Sequence, residues 1–287
     1  MTQSGGGPVR LWRPQNDCGA DCLVTGDEPA AAPKALQVLR FVRLIFALLF
    51  GALLVPVLPL LTERGRDRAA RAWGRLTLAA LGVRLRVRGR LPRGRALVVA
   101  NHVSWLDVVA LSAVAPGRML AKVEVRRWPL FGALAASGGT IFVDRVRPKT
   151  LPDTVAEVAA ALRSGDVVTV FPEGTTGCGA AVGPFRPAMF QAAIDAGAMV
   201  VPVTLRYGGP AAAFIGDETL WSSVRRVLAM PRLVASISVT PALHPEPAAS
   251  RRALARVAQA AVGTPVFAPA PAPVAAAPLP IPVALAA

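Results

Sequence analysis

One histidine and one aspartate stand at a spacing that could support general base catalysis. The segment Asn101-His102-Val103-Ser104-Trp105-Leu106-Asp107 places four residues between them. An imidazole can accept a proton near neutral pH, and a carboxylate on its other ring nitrogen fixes the tautomer and stabilises the charged form. On one regular helix, residues five positions apart would point in different directions. Pairing therefore requires His102 in a strand-to-helix turn and Asp107 in the first helical turn.

The same segment also fits a purely structural arrangement. Ser104 and Asp107 stand in the Ser-x-x-Asp relation of a helix cap, in which the carboxylate serves the start of the helix. The spacing of His102 and Asp107 alone leaves both interpretations open.

A second polar segment, Phe171-Pro172-Glu173-Gly174-Thr175-Thr176-Gly177, follows an apolar run. A glycine-rich turn at the end of a strand exposes backbone N–H groups and lets a ligand approach closely. Glu173 and the hydroxyls of Thr175 and Thr176 add polar contacts. Together with Gly174 they are candidate substrate-binding residues, and an ordinary turn between a strand and a helix is the alternative.

A third segment, residues 138–145, brings Asp144 and Arg145 to the end of a predicted strand. The planar fork of donors on arginine can hold a phosphate or a carboxylate. The alternative is an Asp144–Arg145 ion pair at the surface, which would contribute little.

The elements that must position these segments alternate between short apolar runs and longer helical patterns, which is typical of an α/β domain. The predicted strands cover residues 83–87, 96–100, 140–143, 167–171, 200–205 and 233–240. The predicted helices cover residues 154–162 and 188–196. His102 and Glu173 thus follow strand ends, where such folds place their sites. Pro202 predicts an edge strand or an irregular ladder.

A long apolar stretch precedes the α/β pattern, in a chain of which 53% of the residues are hydrophobic. Residues 44–61 contain no charge and are long enough to be a transmembrane candidate. Pro56 and Pro59 predict that the helix kinks or stops near Val55. A full span, a re-entrant or monotopic anchor and a buried core helix are the three possible interpretations.

Positive charge is concentrated directly after this stretch, in a chain with a net charge of +15. Residues 64–95 hold eleven arginines against one aspartate, Asp67. An anionic membrane surface attracts charge placed in this way, and a solvated basic face is the alternative. Nucleic acid is not an expected partner, because aromatic residues make up only 6% of the chain and no binding motif is present.

Three cysteines, Cys18, Cys22 and Cys178, cannot form a fully paired disulfide framework, which favours reducing surroundings. Cys18 and Cys22 could be half of a metal site, but His102 and His244 are the chain's only histidines. We therefore expect no metal.

The sequence predicts four segments along the chain. Residues 1–33 are a disordered leader, and residues 34–75 are a hydrophobic membrane anchor with a basic connector. Residues 76–264 are the α/β domain, and residues 265–287 are a disordered tail rich in alanine and proline.

In this order, the segments resemble the glycerolipid acyltransferase family that includes the 1-acylglycerol-3-phosphate acyltransferases, over residues 83–240. Residues 101–107 are similar to its catalytic His-x4-Asp block, and Phe171-Pro172-Glu173-Gly174-Thr175 is similar to its Glu-Gly-Thr block. Three further segments of this chain are similar to the family's acceptor-side region. They are Ala121-Lys122-Val123-Glu124, Trp128-Pro129-Leu130-Phe131-Gly132 and Phe142-Val143-Asp144-Arg145.

The resemblance implies a mixed, largely parallel sheet flanked by helices. It also implies that His102 deprotonates an acceptor hydroxyl, which attacks the thioester of acyl carrier protein or coenzyme A, while Asp107 orients His102. Backbone donors near the site should stabilise the charge on the carbonyl oxygen. No cofactor or metal is implied, and the expected location is the cytoplasmic side of the cytoplasmic membrane.

The departures from the family pattern concern the acceptor. Many relatives specific for lysophosphatidate carry an arginine where this chain has Thr176, which leaves Lys122 and Arg145 as possible anion contacts. Residues 183–190 also lack the lysine and glycine of the commoner pattern. Both features resemble the branch that acylates lyso-ornithine lipid, and both acceptors stay open.

Two other functions would fit parts of the sequence. A noncatalytic protein that binds anionic membranes would need only the apolar and basic segments. A lipid hydrolase is not supported, because no serine stands in a nucleophile-elbow sequence.

Overall fold

The structure is a computed structural model that describes residues 18–23, 30–91, 93–128, 131–216 and 218–263. The predicted tail lies outside these residues, as do residues 1–17 and 24–29 of the predicted leader. The helices are α1 Lys34–Leu54, α2 Glu63–Leu81, α3 Leu106–Val114, α4 Phe131–Ser137, α5 Leu151–Arg163, α6 Ala188–Ala196, α7 Leu220–Ala229 and α8 Arg251–Gly263. The strands are β1 Val83–Arg88, β2 Ala96–Ala100, β3 Arg118–Lys122, β4 Ile141–Val143, β5 Val167–Val170, β6 Met199–Tyr207 and β7 Leu233–Val239.

The seven strands form one sheet in the order β1-β7-β6-β2-β5-β3-β4. Neighbouring strands are parallel except for the antiparallel pair β6 and β7. Ala96 of β2 pairs with Met199 on one side and with Val167 on the other. The prediction of a mixed, largely parallel sheet flanked by helices is therefore confirmed, and β2 lies at its centre.

The sheet separates two hydrophobic clusters. Residues of β2 alternate between them, with Val98 in the cluster that includes α2, α3 and α7, and Val99 in the cluster that includes α5, α6 and α8. Both valines are fully buried, and burial of such a side chain contributes roughly 1.5–3 kcal/mol. The strand that carries His102 at its end is thus held on both faces.

The observed strands match the six predicted ones, and β3 is an additional strand. β3 carries a charged residue at each end, Arg118 and Lys122, and its pairing is divided between β5 and β4. It therefore lacks the apolar run that marks the other inner strands. Of the two alternatives at Pro202, the edge strand is wrong, because β6 lies between β7 and β2. The antiparallel ladder with β7 begins at Val203, the residue that follows Pro202, so this ladder is incomplete at the proline.

α1 ends at Leu54, which confirms the predicted helix end near Val55. Its buried residues lie on one face and are Arg40, Leu44, Ala47 and Gly51. Arg40 donates to the carbonyl of Leu228 at the end of α7, at 3.1 Å. Among the described residues, α1 is the one helix long and apolar enough to cross a membrane, and most of its apolar surface is exposed. A buried core helix is therefore excluded for this segment.

α2, which contains the basic residues of the predicted connector, packs against α3 of the α/β domain. Its first turn is capped by the hydroxyl of Thr62, which accepts from Gly65 N at 3.2 Å, and Gly82 ends the helix in the left-handed conformation. A β-carbon on Gly74 would lie 2.9 Å from the backbone nitrogen of Ala113 in α3, so the two helices cross closely. The arginines of α2 remain on its solvent side.

The structure describes a short part of the predicted leader. Residues Ala20–Leu23 form a short 3-10 helix. Cys18, Cys22 and Leu23 pack against Val103, Ala213 and Ile215, beside the start of α3.

Candidate active site

The chain leaves β2 through a buried asparagine. Asn101 Nδ2 donates to the carbonyl of Leu205 at 2.9 Å, and Leu205 N donates to Asn101 Oδ1 at 2.7 Å. These two bonds tie the end of β2 to β6. They fix the direction in which the next residue, His102, enters the turn before α3.

His102 and Asp107 are paired as the sequence hypothesis requires. His102 Nδ1 lies 2.8 Å from Asp107 Oδ2, with His102 in the turn and Asp107 in the first turn of α3. The Asp107 side chain is fully buried, whereas 20% of the His102 side chain is exposed. Because a carboxylate can only accept, the pairing places the proton on Nδ1 and leaves Nε2 to accept another proton.

The same carboxylate also caps the helix. Asp107 Oδ2 accepts from Val103 N at 2.6 Å and from Ser104 N at 2.9 Å. The two interpretations of the spacing are therefore both realised by one oxygen. The cap holds the carboxylate rigid, and the rigid carboxylate orients the imidazole.

Tyr207 holds the other oxygen of Asp107. Its hydroxyl donates to Asp107 Oδ1 at 2.5 Å. Burial, together with the charge of Asp107 and this hydrogen bond, raises the pKa of Tyr207 well above its ordinary value. The phenol therefore stays protonated and remains a donor at neutral pH. Sequence reasoning missed Tyr207, although it is the chain's single tyrosine and ends an apolar strand.

The imidazole of His102 stacks on the ring of Phe171. The ring centroids lie 4.0 Å apart and the planes are inclined by 14°. Phe171 directly follows β5, the neighbour of β2, so adjacent strand ends supply the base and its stacking partner. Two contacts, the carboxylate and the phenyl ring, thus fix the position and tilt of the imidazole.

Glu173 joins two loops rather than pointing away from the protein. His102 N donates to Glu173 Oε1 at 2.8 Å, and Gly183 N donates to Oε2 at 2.9 Å. Burial raises the pKa of Glu173, and these two backbone donors oppose the rise. Gly177 N donates to the carbonyl of His102 at 2.8 Å. The Glu-Gly-Thr segment therefore supports the turn that carries His102.

Gly174 occupies a position that requires glycine, because its φ is +76°. Arg145 donates a hydrogen bond to the carbonyl of Gly174. Burial lowers the pKa of Arg145, and Glu124 opposes this shift. Thr175 and Thr176 follow in the same loop and are half-buried.

The alternative of an Asp144–Arg145 surface pair is not what the structure contains. Asp144 Oδ1 instead accepts from Val146 N at 2.9 Å and from Arg147 N at 3.2 Å. Asp144 Oδ2 lies 3.6 Å from Arg147 Nε, whereas Arg145 donates to the loop of Gly174.

Lys122, the other predicted anion contact, ends β3. Its Nζ lies 5.8 Å from the centre of the Trp128 ring, and Lys122 pairs with Val143 of β4. Lys122 and Arg145 therefore belong to the ends of adjacent strands, on the side of the sheet where β2 and β5 also end.

A family model described as Acyltransferase matches residues 83–206. The chain is 38% identical over 185 residues to a 1-acyl-sn-glycerol-3-phosphate acyltransferase of Neisseria gonorrhoeae, which covers 61% of this chain and 71% of that protein. It is 39% identical over 212 residues to a lyso-ornithine lipid O-acyltransferase of Pseudomonas aeruginosa, which covers 71% of this chain and 81% of that protein.

The fold is also similar to a solved structure. The crystal structure of the 1-acyl-sn-glycerophosphate acyltransferase of Thermotoga maritima superposes with a TM-score of 0.63 at 21% identity. The match covers 80% of this chain and 92% of that one. At this identity the likeness concerns the fold alone.

Proposed function

This chain belongs to the acyltransferase family, and from that premise we propose that His102 is the general base of acyl transfer to a lysolipid hydroxyl. The observation that carries the proposal is the pairing of His102 Nδ1 with the buried carboxylate of Asp107 at 2.8 Å. That contact leaves Nε2 of a partly exposed imidazole as the proton acceptor.

The reaction then proceeds without a covalent acyl-enzyme. Nε2 of His102 takes the proton of the acceptor hydroxyl while its oxygen attacks the thioester carbonyl carbon. The tetrahedral intermediate collapses, the carbon–sulfur bond breaks, and the imidazolium returns the proton to the leaving thiolate. An ester and a free thiol result. Asp107 stabilises the transient positive charge on His102, and Tyr207 keeps Asp107 in place.

The negative charge on the carbonyl oxygen needs donors that are not already engaged. The N–H groups of Val103 and Ser104 donate to Asp107, that of His102 donates to Glu173, and that of Gly177 donates to His102. These four groups support the base. Stabilisation of the oxyanion therefore falls to other donors, and the hydroxyl of Thr175 is a candidate.

The acceptor is proposed as a lysolipid with an anionic group near its hydroxyl. The relatives carry the names of enzymes for two such acceptors, 1-acylglycerol-3-phosphate and lyso-ornithine lipid. Lys122 and Arg145 at neighbouring strand ends, with Arg186 close enough to act on the pKa of Arg145, supply positive charge for a phosphate or a carboxylate. The acyl donor is proposed to be acyl carrier protein or coenzyme A.

Membrane attachment is proposed to use two adjacent surfaces. α1 exposes large apolar side chains, among them Phe46, Phe50 and Leu53. The arginines of residues 64–95 follow on α2, on β1 and in the segment between β1 and β2, and ten of the eleven are exposed. A helix that buries one face against the protein and offers its other face to lipid fits a monotopic arrangement on an anionic leaflet. We place that leaflet on the cytoplasmic side, where acyl carriers are handled.

The test is acyl transfer by the purified full chain in detergent micelles. Labelled acyl groups on acyl carrier protein or coenzyme A are offered with each of the two lysolipids in separate reactions. We expect an esterified product with at least one pair, and loss of that product in His102→Ala. His244→Ala is the matched control, because His244 is exposed and should leave the rate unchanged.

A folded His102→Ala protein that still transfers acyl groups at the wild-type rate would refute the assigned base. A wild-type protein that binds anionic vesicles and transfers nothing from either donor would favour the noncatalytic alternative.

A further inference from the structure

The three cysteines of the chain converge on one place in the fold. Cys18 and Cys22 lie in the N-terminal segment, and Cys178 lies in the loop that follows the Glu-Gly-Thr segment. Their Sγ atoms all lie within 4.8 Å of one another. Cys178 N also donates to the sulfur of Cys18 at 3.3 Å. None of the three, all of them described, forms a disulfide.

The position of this cysteine cluster (Cys18, Cys22 and Cys178) connects it to the catalytic turn, which is the segment of residues 101–107 that carries the proposed base. Cys18 and Cys22 pack against Val103, the residue after His102. Gly177, the residue before Cys178, donates to the carbonyl of His102. The cluster therefore lies where the N-terminal segment meets the loop that supports the base.

The spacing of the sulfur atoms suits a metal ion. In a tetrahedral zinc site with Zn–S bonds of about 2.3 Å, the sulfur atoms lie roughly 3.8 Å apart. Sulfur atoms within 4.8 Å reach that separation through small side-chain rotations. Three residues separate Cys18 from Cys22, which is within the ligand spacing that zinc sites use in sequence. All three thiols are half-buried, and Cys178 joins Cys18 and Cys22 although it does not belong to the apolar cluster on which those two pack.

We infer that Cys18, Cys22 and Cys178 bind one thiophilic metal ion of the Zn²⁺ class, which fastens the N-terminal segment to the loop after Glu-Gly-Thr. The ion binds thiolates, so its entry releases the thiol protons to solvent, and a ligand from solution completes the four-coordinate shell. This inference does not depend on the proposed acyl transfer. It goes beyond the sequence analysis, because Cys178 stands 160 positions after Cys18 in the chain.

The experiment uses the full chain without a histidine tag, reduced, stripped of metal and held in detergent micelles. Zn²⁺ is titrated in competition with a chromophoric chelator, and alkylation of each cysteine is followed by mass spectrometry. We expect one Zn²⁺ per chain and protection of all three cysteines from alkylation when Zn²⁺ is present. Co²⁺ in place of Zn²⁺ should give thiolate-to-metal absorption.

Cys178→Ser should weaken Zn²⁺ binding by more than about 100-fold, which exceeds the usual effect of removing a group that only supports a ligand. In that variant Cys18 and Cys22 should lose their protection. His244→Gln, at an exposed position outside the cluster, is the control and should bind as the wild type does.

Three outcomes would each overturn the inference. Binding that is unchanged in Cys178→Ser is one, and alkylation of the wild-type cysteines at equal rates with and without Zn²⁺ is another. Formation of a disulfide within the cluster, with no Zn²⁺ bound after reduction, is the third. The alkylation measurement on the wild type needs no variant, so it decides the matter even if a substitution impairs folding.

Discussion

The catalytic turn and the α1–α2 region are built in opposite ways. In the turn, the polar contacts of His102 and Asp107 come from several parts of the chain within 3 Å, and Asp107 is fully buried. In the α1–α2 region, large apolar and basic side chains are exposed and widely spread. In the proposed function, chemistry depends on a few fixed short contacts, whereas membrane attachment depends on the sum of many weak ones. Single substitutions should break the first and barely affect the second.

Asp107→Asn should produce the largest effect. The amide carries no negative charge to stabilise the imidazolium, and its single oxygen cannot replace both Oδ2, which faces His102 and the cap, and Oδ1, which faces Tyr207. We expect acyl transfer to fall by about 10³- to 10⁴-fold, as in hydrolytic triads that suffer the same change. The measurement is kcat in detergent micelles, with circular dichroism to verify the fold. A loss of less than ten-fold in a folded protein would contradict the role of Asp107.

Removal of three charges from the other region should have an intermediate effect. Arg64, Arg66 and Arg68 are exposed on the first turns of α2, and each basic residue near an anionic surface contributes about 1 kcal/mol. The triple alanine variant should therefore bind anionic vesicles on the order of 100-fold more weakly, and wild-type binding should weaken as salt rises.

The triple lysine variant at the same positions is the matched control and should retain binding. Turnover of the alanine variant in neutral detergent should stay at the wild-type value, because these side chains lie outside the catalytic turn. If turnover in detergent falls together with vesicle binding, the two regions are not separable as described.

Tyr207→Phe should have a smaller effect on catalysis than Asp107→Asn. It removes one donor from a buried carboxylate that keeps its other partners, and a hydrogen bond to a charged group contributes about 1.5–3 kcal/mol. We expect a loss of roughly ten-fold in kcat. Ser223→Ala is the control, because it removes a buried hydroxyl that accepts from Trp105 Nε1 and does not contact Asp107. Equal losses in the two variants would indicate a general packing effect.

The sequence predicted the main elements of both regions, but not most of the contacts that join them. The apolar runs around β2, β5 and β6 predicted strands. The spacing of His102 and Asp107 allowed their pairing, which the family resemblance implied. These signals are local, because they depend on residues a few positions apart. Residues 44–61 were likewise recognisable by their lack of charge.

The remaining features depend on contacts between distant parts of the chain. Tyr207 reaches Asp107 across 100 positions, and Glu173 reaches the backbone of His102 across 71. The convergence of Cys178 with Cys18 is of the same kind. β6 can lie inside the sheet despite Pro202 because its antiparallel ladder with β7 covers only the residues after the proline. No periodicity or propensity contains this information, since it arises only when the sheet order is fixed.

The pH dependence of stability above pH 9 should include a contribution from Tyr207, and this contribution should be the mildest effect near neutrality. Its pKa is raised by burial beside Asp107, whereas the unfolded chain ionises near its ordinary value of about 10. Above that pH the folded state holds the proton that the unfolded state has lost. This contribution is fully present below pH 10 and is lost as the pH rises toward the folded pKa.

Because Tyr207 is the only tyrosine, the absorbance of tyrosinate reports on it directly. We expect the folded protein to show no tyrosinate at pH 10, and the signal to appear together with unfolding at higher pH. In Tyr207→Phe the difference in stability between pH 9 and pH 11 should be smaller. A reversible titration near pH 10 in the folded protein would contradict the buried hydrogen bond.

The central claim is that His102 and Asp107 act as one unit, and a double-mutant cycle in detergent tests it most directly. The rates of His102→Ala, Asp107→Asn and the double variant are compared with the wild type under saturating donor and acceptor. If the carboxylate acts only through the imidazole, the double variant should be no slower than His102→Ala, because groups that act as a unit are strongly non-additive. Losses that multiply in the double variant would show that the two residues act independently, and would contradict the account.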